Sequence, residues 1–543
     1  MNGVARGPCD EGILRSAEFS PCDPATARWV FAATILGSSM AFIDGTVVNI
    51  ALPVLQTSLQ ASVSSAQWVV EAYALTLSAL VLVGGSLGDR VGRRRVFAIG
   101  VAVFALSSAV CGLAPDVRSL VAARALQGVG AALLVPSSLA ILGAAFSPLE
   151  RGRAVGTWSA LTAVATAVGP IVGGWLVQVA SWRVVFFLNL PIAAAVFAIA
   201  LRKIPETRNP SAAPLDLAGA LFATAGLGTL VFGLIEAPAA GWSNPRVWGS
   251  LAAGGAALAA FVVVERTSPH PMVPLELFRM RAFAGANLLT LFLYAALSAA
   301  MFLLPFDLIQ AQGYSPTTAG LAFLPLIVLL FALSRLAGAI ADRFGPRLPL
   351  TAGPAIAAVG FVLLAVPGEG ARYATAFLPA LCLLGLGMAM TVAPLTTAVL
   401  NAVNSRQAGA ASGINNAVAR VAGLLAIAAL GIVASHVFDG ALDRHLAQAG
   451  LSSVARRIPH AERQKLGAAR APTGLSEAET RHVQRAIAAS LVASFRVSMG
   501  IAAALALLAA ATGALLAGSR SAAAGAPPAS RQRASADEGF EEI

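Results

Sequence analysis

Three ionisable residues stand inside long apolar stretches: Asp44, Glu71 and Arg124. A charge at the centre of a bilayer costs at least about 2.5–3.5 kcal/mol, so each is a functional candidate by default. Asp44 lies slightly outside the middle of its run, in Phe42-Ile43-Asp44-Gly45-Thr46-Val47-Val48-Asn49, with Thr46 and Asn49 beside it. A carboxyl removed from water is costly to keep ionised, which makes it a candidate proton carrier. The alternative is an acid permanently paired to brace its helices. Arg124 opens Arg124-Ala125-Leu126-Gln127-Gly128, and Glu71 sits in Trp68-Val69-Val70-Glu71-Ala72-Tyr73. Both runs are read as descending from the outer surface, and at about 1.5 Å per residue their charges fall at similar heights. Asp44, Glu71 and Arg124 are therefore expected to meet in the outer half of one bundle. An arginine between two acids would leave one free to bind a proton. Glu71 has a second reading, in which it snorkels to outer water.

Other polar residues interrupt the later runs. Asp307 and Gln310 fall near an outer end, Arg335 near an inner end, and Asn415 and Arg420 near mid-span. Arg335 is read as snorkelling inward. Arg420 is too central for that and needs an acid, carbonyls, water or an anionic ligand. With Asn49, the residues Asp307, Gln310, Asn415 and Arg420 are the candidates for lining a substrate cavity. The fifth run carries Gly169-Pro170-Ile171-Val172-Gly173-Gly174. There the proline removes a backbone donor, and the glycines let a neighbouring helix approach.

Several chemistries have no footing in this sequence. The two lysines, Lys203 and Lys465, follow Arg202 and Gln464, so no phosphate-cradling Gly-Lys-Ser/Thr loop exists and no use of ATP is expected. No nucleophile elbow or zinc-protease motif is present, and no histidine lies inside a span. The four cysteines are scattered without metal spacing, so neither a metal nor a cofactor is expected. The net charge of +11 comes from arginines in short loops between apolar runs, which argues against nucleic acid as a partner. Energy for transport would then come from an ion gradient or a partner subunit.

The elements that must position these residues are membrane helices. Hydrophobic residues make up 57% and charged residues 12%, about half the charge of a soluble chain. Runs long enough to span, about 20 residues each, fall at roughly 29–53, 67–88, 96–114, 119–146, 154–178, 184–201, 216–236, 247–264, 284–309, 317–341, 349–366, 374–400, 408–434 and 495–517. That predicts an all-α, multi-pass membrane protein of fourteen spans with both termini on one side. With the N-terminus inside, inner loops hold about fifteen arginines or lysines and short outer loops only Arg118, Arg183, Arg246 and Arg372. This is a clear positive-inside bias, and it places both termini in the cytoplasm of a cell whose inner or plasma membrane holds the chain. The external segment 436–494 disagrees, being basic, but loops of about 60 residues follow the rule poorly. Within it, Ser476-Glu477-Ala478-Glu479 reads as a capping box for a short helix. The N-terminal segment to Pro24 lacks an apolar core and is not read as a cleaved signal. The tail after Ser519 has the composition of a disordered segment.

One pattern occurs twice on the inner side, as Gly85-Ser86-Leu87-Gly88-Asp89-Arg90-Val91-Gly92-Arg93 and as Gly338-Ala339-Ile340-Ala341-Asp342-Arg343-Phe344-Gly345. An acid at a helix end, a glycine turn and arginines suit a tight loop between two spans, and the repetition suggests two related halves. Taken together, these motifs resemble the major facilitator superfamily, specifically its fourteen-span drug–proton antiporter group of the EmrB/QacA type. Gly85–Arg95 matches the loop after the second helix, and Gly338–Arg347 its weaker partner. Leu120–Gly130 matches the fourth-helix motif, Gly169–Gly174 the fifth-helix exporter signature, and Asp44–Pro53 a first-helix motif of this group. Trp182, Arg183, Asn189 and Pro191 also resemble those antiporters. Ala165 departs from the pattern where a further glycine is usual.

The resemblance implies two six-helix bundles plus two additional helices between them, around a cavity open alternately to either side. The division expected is a cytoplasmic tail 1–28, a first bundle 29–201, a linker 202–283 with the extra pair, a second bundle 284–517 with the external loop 436–494, and a tail 518–543. Asp44 is implied as a proton or substrate site and Arg124 as its coupling partner. Gly85, Asp89, Arg90, Gly92 and Arg93, with Asp342 and Arg343, would form a cytoplasmic gate. The expected partners are protons, a small-molecule substrate and the lipid bilayer. A periplasmic adaptor is possible in this group, with nothing here to specify one. The function implied is proton-driven export of a small amphipathic compound such as a drug, dye or natural product. The alternatives are export of one metabolite such as an amino acid, sugar or siderophore, and a non-transporting membrane receptor.

Overall fold

The structure is a computed structural model that describes residues 24–516, apart from 147, 209–215, 270, 405–406, 450–451, 453 and 456–457. Both expected tails fall largely outside the described residues, as do Arg406, Arg456 and Arg457. Among the described residues all regular structure is helical. Thirteen helices are long and apolar enough to cross a membrane, and a bent one makes fourteen.

In chain order the first six are α1 (Pro24–Leu59), α2 (Val63–Val91), α3 (Arg93–Leu113), α4 (Val117–Ala145), α5 (Pro148–Val179) and α6 (Asn189–Lys203). An intervening pair follows, α7 (Leu217–Ala240) and α8 (Pro245–Thr267). The last six are α9 (Arg281–Phe306), α10 (Leu324–Phe344), α11 (Arg347–Leu364), α12 (Leu378–Asn401), α13 (Ala408–Gln448) and α14 (Glu477–Leu516). Helix α2 is the bent one, turning by 50° between Val81 and Val83.

Local chemistry sets several boundaries. Ser62 caps α2 by accepting from Ser65 N at 3.1 Å. Asp116 and Ser119 form a reciprocal capping box at the start of α4. Asn244 followed by Pro245 opens α8, where proline's missing N–H costs nothing. Gly92 separates α2 from α3 at φ +126°, a conformation essentially reserved for glycine.

Helices α1–α6 pack among themselves, and α9–α14 do the same. The pairings recur eight helices on: α2–α4 matches α10–α12, α3–α4 matches α11–α12, α1–α5 matches α9–α13, and α1–α6 matches α9–α14. The pair α7–α8 packs on itself, with α7 lying against α2 and α13. One continuous apolar cluster, including Val47, Leu52, Phe186, Phe283, Phe323 and Phe361, fills the second set and joins the first near one end. At the end bearing the Gly85–Arg95 loop, the first six helices keep a separate cluster around Phe97, Phe104 and Trp158.

The polar segment between the last two spans departs from the expectation of a loose loop. Helix α13 has 41 residues and α14 has 40, so each is about 60 Å long and projects well past a bilayer core. The capping box at Ser476 and Glu479 starts α14 itself, with Glu479 N donating to Ser476 Oγ at 3.2 Å, rather than a separate short helix. Hydrogen bonds from Ser452 and Ser476 hold the Glu479 carboxyl below the usual carboxylate range. The two projecting helix ends and the turns between them bury Phe438, Leu442, Ile458, Leu466, Val483 and Ile487 as a small cap. This cap grips both sets of helices. Val63 N donates to Gln464 O at 2.9 Å, Gln56 Nε2 to Lys465 O at 3.0 Å, and Gln310 Nε2 to Gln56 Oε1 at 3.0 Å.

Candidate coupling site

Asp44 of α1 and Arg124 of α4 form an ion pair through Oδ2 and Nη1, with side chains 0% and 1% exposed. A buried pair of this kind persists only when its remaining donors and acceptors are also met. Here they are. Asp44 Oδ1 accepts from Gln127 Nε2 at 2.8 Å and from Asn189 Nδ2 at 3.0 Å. Arg124 Nη1 also donates to Gln127 Oε1 at 2.7 Å, and Arg124 Nε to Val69 O at 3.0 Å. Its guanidinium lies 4.3 Å from the centre of the Tyr73 ring, where the π face favours a cation. Ser108 of α3 ties the network to a third wall, accepting from Asn189 Nδ2 at 2.9 Å and donating to Phe186 O at 2.8 Å. Five helices of the first half, α1, α2, α3, α4 and α6, therefore converge on one carboxylate–guanidinium pair.

The sequence placed Glu71 in this constellation, and the geometry does not. Glu71 is 0% exposed, and neither carboxylate oxygen has a hydrogen-bond partner, so it also does not snorkel to water. The reason is angular. Tyr73, two residues on, faces Arg124, whereas Glu71 lies on the opposite side of α2. The residues that complete the site are Gln127, Asn189, Ser108 and Tyr73. Gln127 follows Arg124 by three positions, a spacing that puts both on one helix face. Ser108, a serine in an apolar helix, carried no signal.

In the second half the polar core is neutral. Asn415 Nδ2 of α13 donates to Asn287 Oδ1 at 3.1 Å and to Thr290 Oγ1 at 2.7 Å, both on α9. Arg420 makes no hydrogen bond or ion pair among the described residues, and it interacts electrostatically with Tyr73 across the interface between the halves. Asn49 keeps a buried carbonyl oxygen without a partner. Asp307 and Gln310 are displaced from the role expected of them. Asp307 sits in a π-helical turn at the cap end, 3.4 Å from Gln312 Nε2, and Gln310 bridges to Gln56 beneath the cap. Gln310 thus joins the two halves, whereas the hydrogen bond of Asp307 stays within the second.

The glycine motif of α5 makes a second junction between halves. A Cβ on Gly174 would stand 2.2 Å from Pro316 O, and one on Gly320 would stand 2.3 Å from Pro170 O. The backbones of α5 and the short helix Pro316–Ala322 are thus in direct contact. Gly169 and Gly173 face the other way, onto Thr46 and Val47 of α1. Thr46 Oγ1 donates to Thr166 O at 3.0 Å, joining α5 to the helix that carries Asp44.

At the other end, Arg93 Nη2 pairs with Asp89 Oδ1 at 2.7 Å, and Arg93 N donates to Thr207 O at 2.8 Å. Glu206, which the sequence did not single out, accepts from Arg94 N and Arg95 N at 3.0 and 3.2 Å and caps α3. Gly85 packs 3.5 Å from Pro136, measured from its would-be Cβ, and Arg90 is exposed. The contacts of Asp89, Arg93, Arg94 and Arg95 stay within the first half and the segment behind α6. In the second copy Arg343 is exposed and stacks at 5.3 Å on Phe344, and the side chain of Asp342 lies outside the described residues.

Two packed six-helix sets with a buried charged core define a membrane transporter fold. The chain belongs to the Major Facilitator Superfamily, whose model matches residues 34–427. It is 36% identical over 427 residues to the multidrug resistance protein Stp of Mycobacterium tuberculosis, covering 78% of this chain and 79% of that protein. It is 33% identical over 487 residues to the tetracenomycin C resistance and export protein of Streptomyces glaucescens, covering 88% and 89%. The puromycin resistance protein of Streptomyces alboniger is 36% identical, covering 83% and 90%. Among solved structures, a bacterial homologue of the human lysosomal transporter Spinster superposes with a TM-score of 0.62 at 17% identity, covering 90% of this chain and 98% of that one, and so shares the fold.

Proposed function

We propose that this protein is a proton-coupled antiporter of the fourteen-span drug–proton group, exporting small amphipathic organic compounds across the cell membrane. The observation that carries the coupling step is the Asp44–Arg124 pair, buried at the meeting of five helices with further hydrogen bonds to Gln127, Asn189 and the Val69 carbonyl. Protonating Asp44 removes half of that ion pair. Arg124 then keeps only Gln127 Oε1, the Val69 carbonyl and the Tyr73 face, and the hold between α1 and α4 weakens. A proton entering from outside thereby loosens the helix that α5 grips through Thr46, and α5 is the helix that touches the second half at Gly174. Proton binding is in this way tied to the contact between halves, which is what alternating access requires.

Relatives named for resistance to, or export of, tetracenomycin C, puromycin and multiple drugs support this substrate class. The cluster of Asn287, Thr290 and Asn415 between α9 and α13 offers hydrogen bonding from neutral groups. That suits amphipathic compounds better than a small ion.

The test is export of ethidium and puromycin from an efflux-deficient host, with and without a protonophore. Wild-type protein should lower accumulation only while the gradient stands. Asp44→Asn should raise accumulation to the level of cells lacking the protein, at unchanged abundance in the membrane. Export by that variant at the wild-type rate would remove the assignment.

A further inference from the structure

The coupling site leaves one buried carboxyl unused. Glu71 is placed by the neighbours one helical turn to either side of it. One turn before, Gln67 Nε2 donates to Ile427 O of α13 at 2.8 Å, and Gly431 leaves room for that amide. One turn after, Leu75 packs with Leu424 and Ala428 of α13 and with Leu227 and Val231 of α7. Residues 67, 71 and 75 share one helix face. Glu71 therefore lies where α2 of the first half meets α13 of the second, with α7 alongside through Trp68 and Leu75.

The charged groups on the helices packed around it are otherwise engaged. Arg124 of α4 is committed to Asp44, Gln127 and Val69. Arg420 of α13 interacts with Tyr73 and not with Glu71. Glu236 of α7 lies at that helix's far end, in a groove with Ser65, Trp68 and Arg118. None lies within ion-pair or hydrogen-bond distance of the Glu71 carboxyl. An ionised carboxylate with neither donor nor cation is the form such a junction tolerates least, whereas the protonated acid can stay. Parting α2 from α13 at this face would bring the same carboxyl to water, where it ionises.

We infer that Glu71 is a second proton-binding site, independent of the Asp44 pair, which holds its proton while α2 and α13 are closed and releases it when they part. This rests on the antiport reading above, and it makes the exchange about two protons per substrate instead of one. The two sites differ in kind. Asp44 gives up an ion pair when it takes a proton, while Glu71 exchanges a closed apolar junction for water.

The experiment uses the full chain reconstituted in liposomes, with two readouts. Dicyclohexylcarbodiimide, which modifies protonated carboxyls in apolar surroundings, should label the peptide containing Glu71 and leave Glu71→Gln unlabelled there. This readout needs no substrate, and absence of the Glu71 adduct from wild-type protein would overturn the proposal. The second readout is proton flux per ethidium and its response to membrane potential. Wild-type exchange of about two protons for one monovalent cation moves net charge and should respond to the potential. Glu71→Gln, isosteric with the protonated acid, should fall to about one proton per ethidium, lose that response and remain driven by a pH gradient. Unchanged stoichiometry and potential dependence in Glu71→Gln would overturn the second site while leaving antiport standing. Uphill ethidium export by wild-type protein that persists with a protonophore present would instead overturn antiport itself.

Discussion

The two halves repeat one set of helix pairings and place their buried polar groups at different ones. Between α1 and α4 the first half buries Asp44 and Arg124 in a hydrogen-bonded network, and between α9 and α13 the second half holds Asn287, Thr290 and Asn415. The first arrangement changes charge when a proton arrives and the second does not. On the antiport reading proposed above, one half would respond to the gradient, and the neutral cluster of the other would present hydrogen bonds whose strength is independent of pH.

The largest expected break in that contrast is Arg124→Ala. It strands Asp44 in a dry core and should destabilise the protein by about 3–5 kcal/mol, because a lone buried charge costs more than the pair ever contributes. Thermal unfolding in detergent reads the loss, and export of ethidium should lose its dependence on external pH. Wild-type unfolding and pH dependence together would remove Arg124 from the coupling role.

The loop repeats supply an intermediate test. Gly92 has φ +126°, and a Cβ there would stand 2.6 Å from the Glu206 carboxylate. Gly345 has φ +80°, with nothing within 4 Å of its would-be Cβ. Gly92→Ala should thus cost about 1–3 kcal/mol through backbone strain and displacement of Glu206, and it should slow export. Gly345→Ala carries only the conformational term, about 1–2 kcal/mol. Equal effects in unfolding and transport assays would erase the distinction between a loop locked to Glu206 and one that is not.

The smallest effect belongs to the neutral cluster. Asn415→Ala removes two neutral, part-buried hydrogen bonds and should cost about 0.5–1.5 kcal/mol. It should alter which compounds are exported while leaving the pH profile unchanged. A shifted pH profile in this variant would show that the second half also senses protons.

Much of this organisation was legible in the residues. The apolar runs located every spanning helix, because a segment with no water to bond must satisfy its backbone internally. Asp44 and Arg124 stood out because a charge in such a run needs a partner, and opposite charges at one height can be that partner. Gln127 was recoverable from its spacing to Arg124. Glu71 was misread because depth along a helix follows from residue number, whereas the face it presents depends on which neighbour the helix packs against. The same limit hid Ser108 and Glu206, whose roles depend on helices or segments distant in the chain. It also made 436–494 read as a loop. Polar composition marks where the membrane ends, but a helix continues as far as its hydrogen bonds and packing allow, here into the cap.

By itself the sequence determined the class: the number of spans, the repetition of the loop motif, the charged residues that must be paired, and the absence of an ATP-binding loop. Only the tertiary structure decided the partners. It gave Asp44 to Arg124, Gln127 and Asn189, set Glu71 against α13, moved Gln310 to the seal, and tied the cap across both halves. The physical reason is that hydropathy is a property of a segment and survives in one dimension. A hydrogen bond is a relation between two surfaces, and it exists only once the helices have chosen how to face each other.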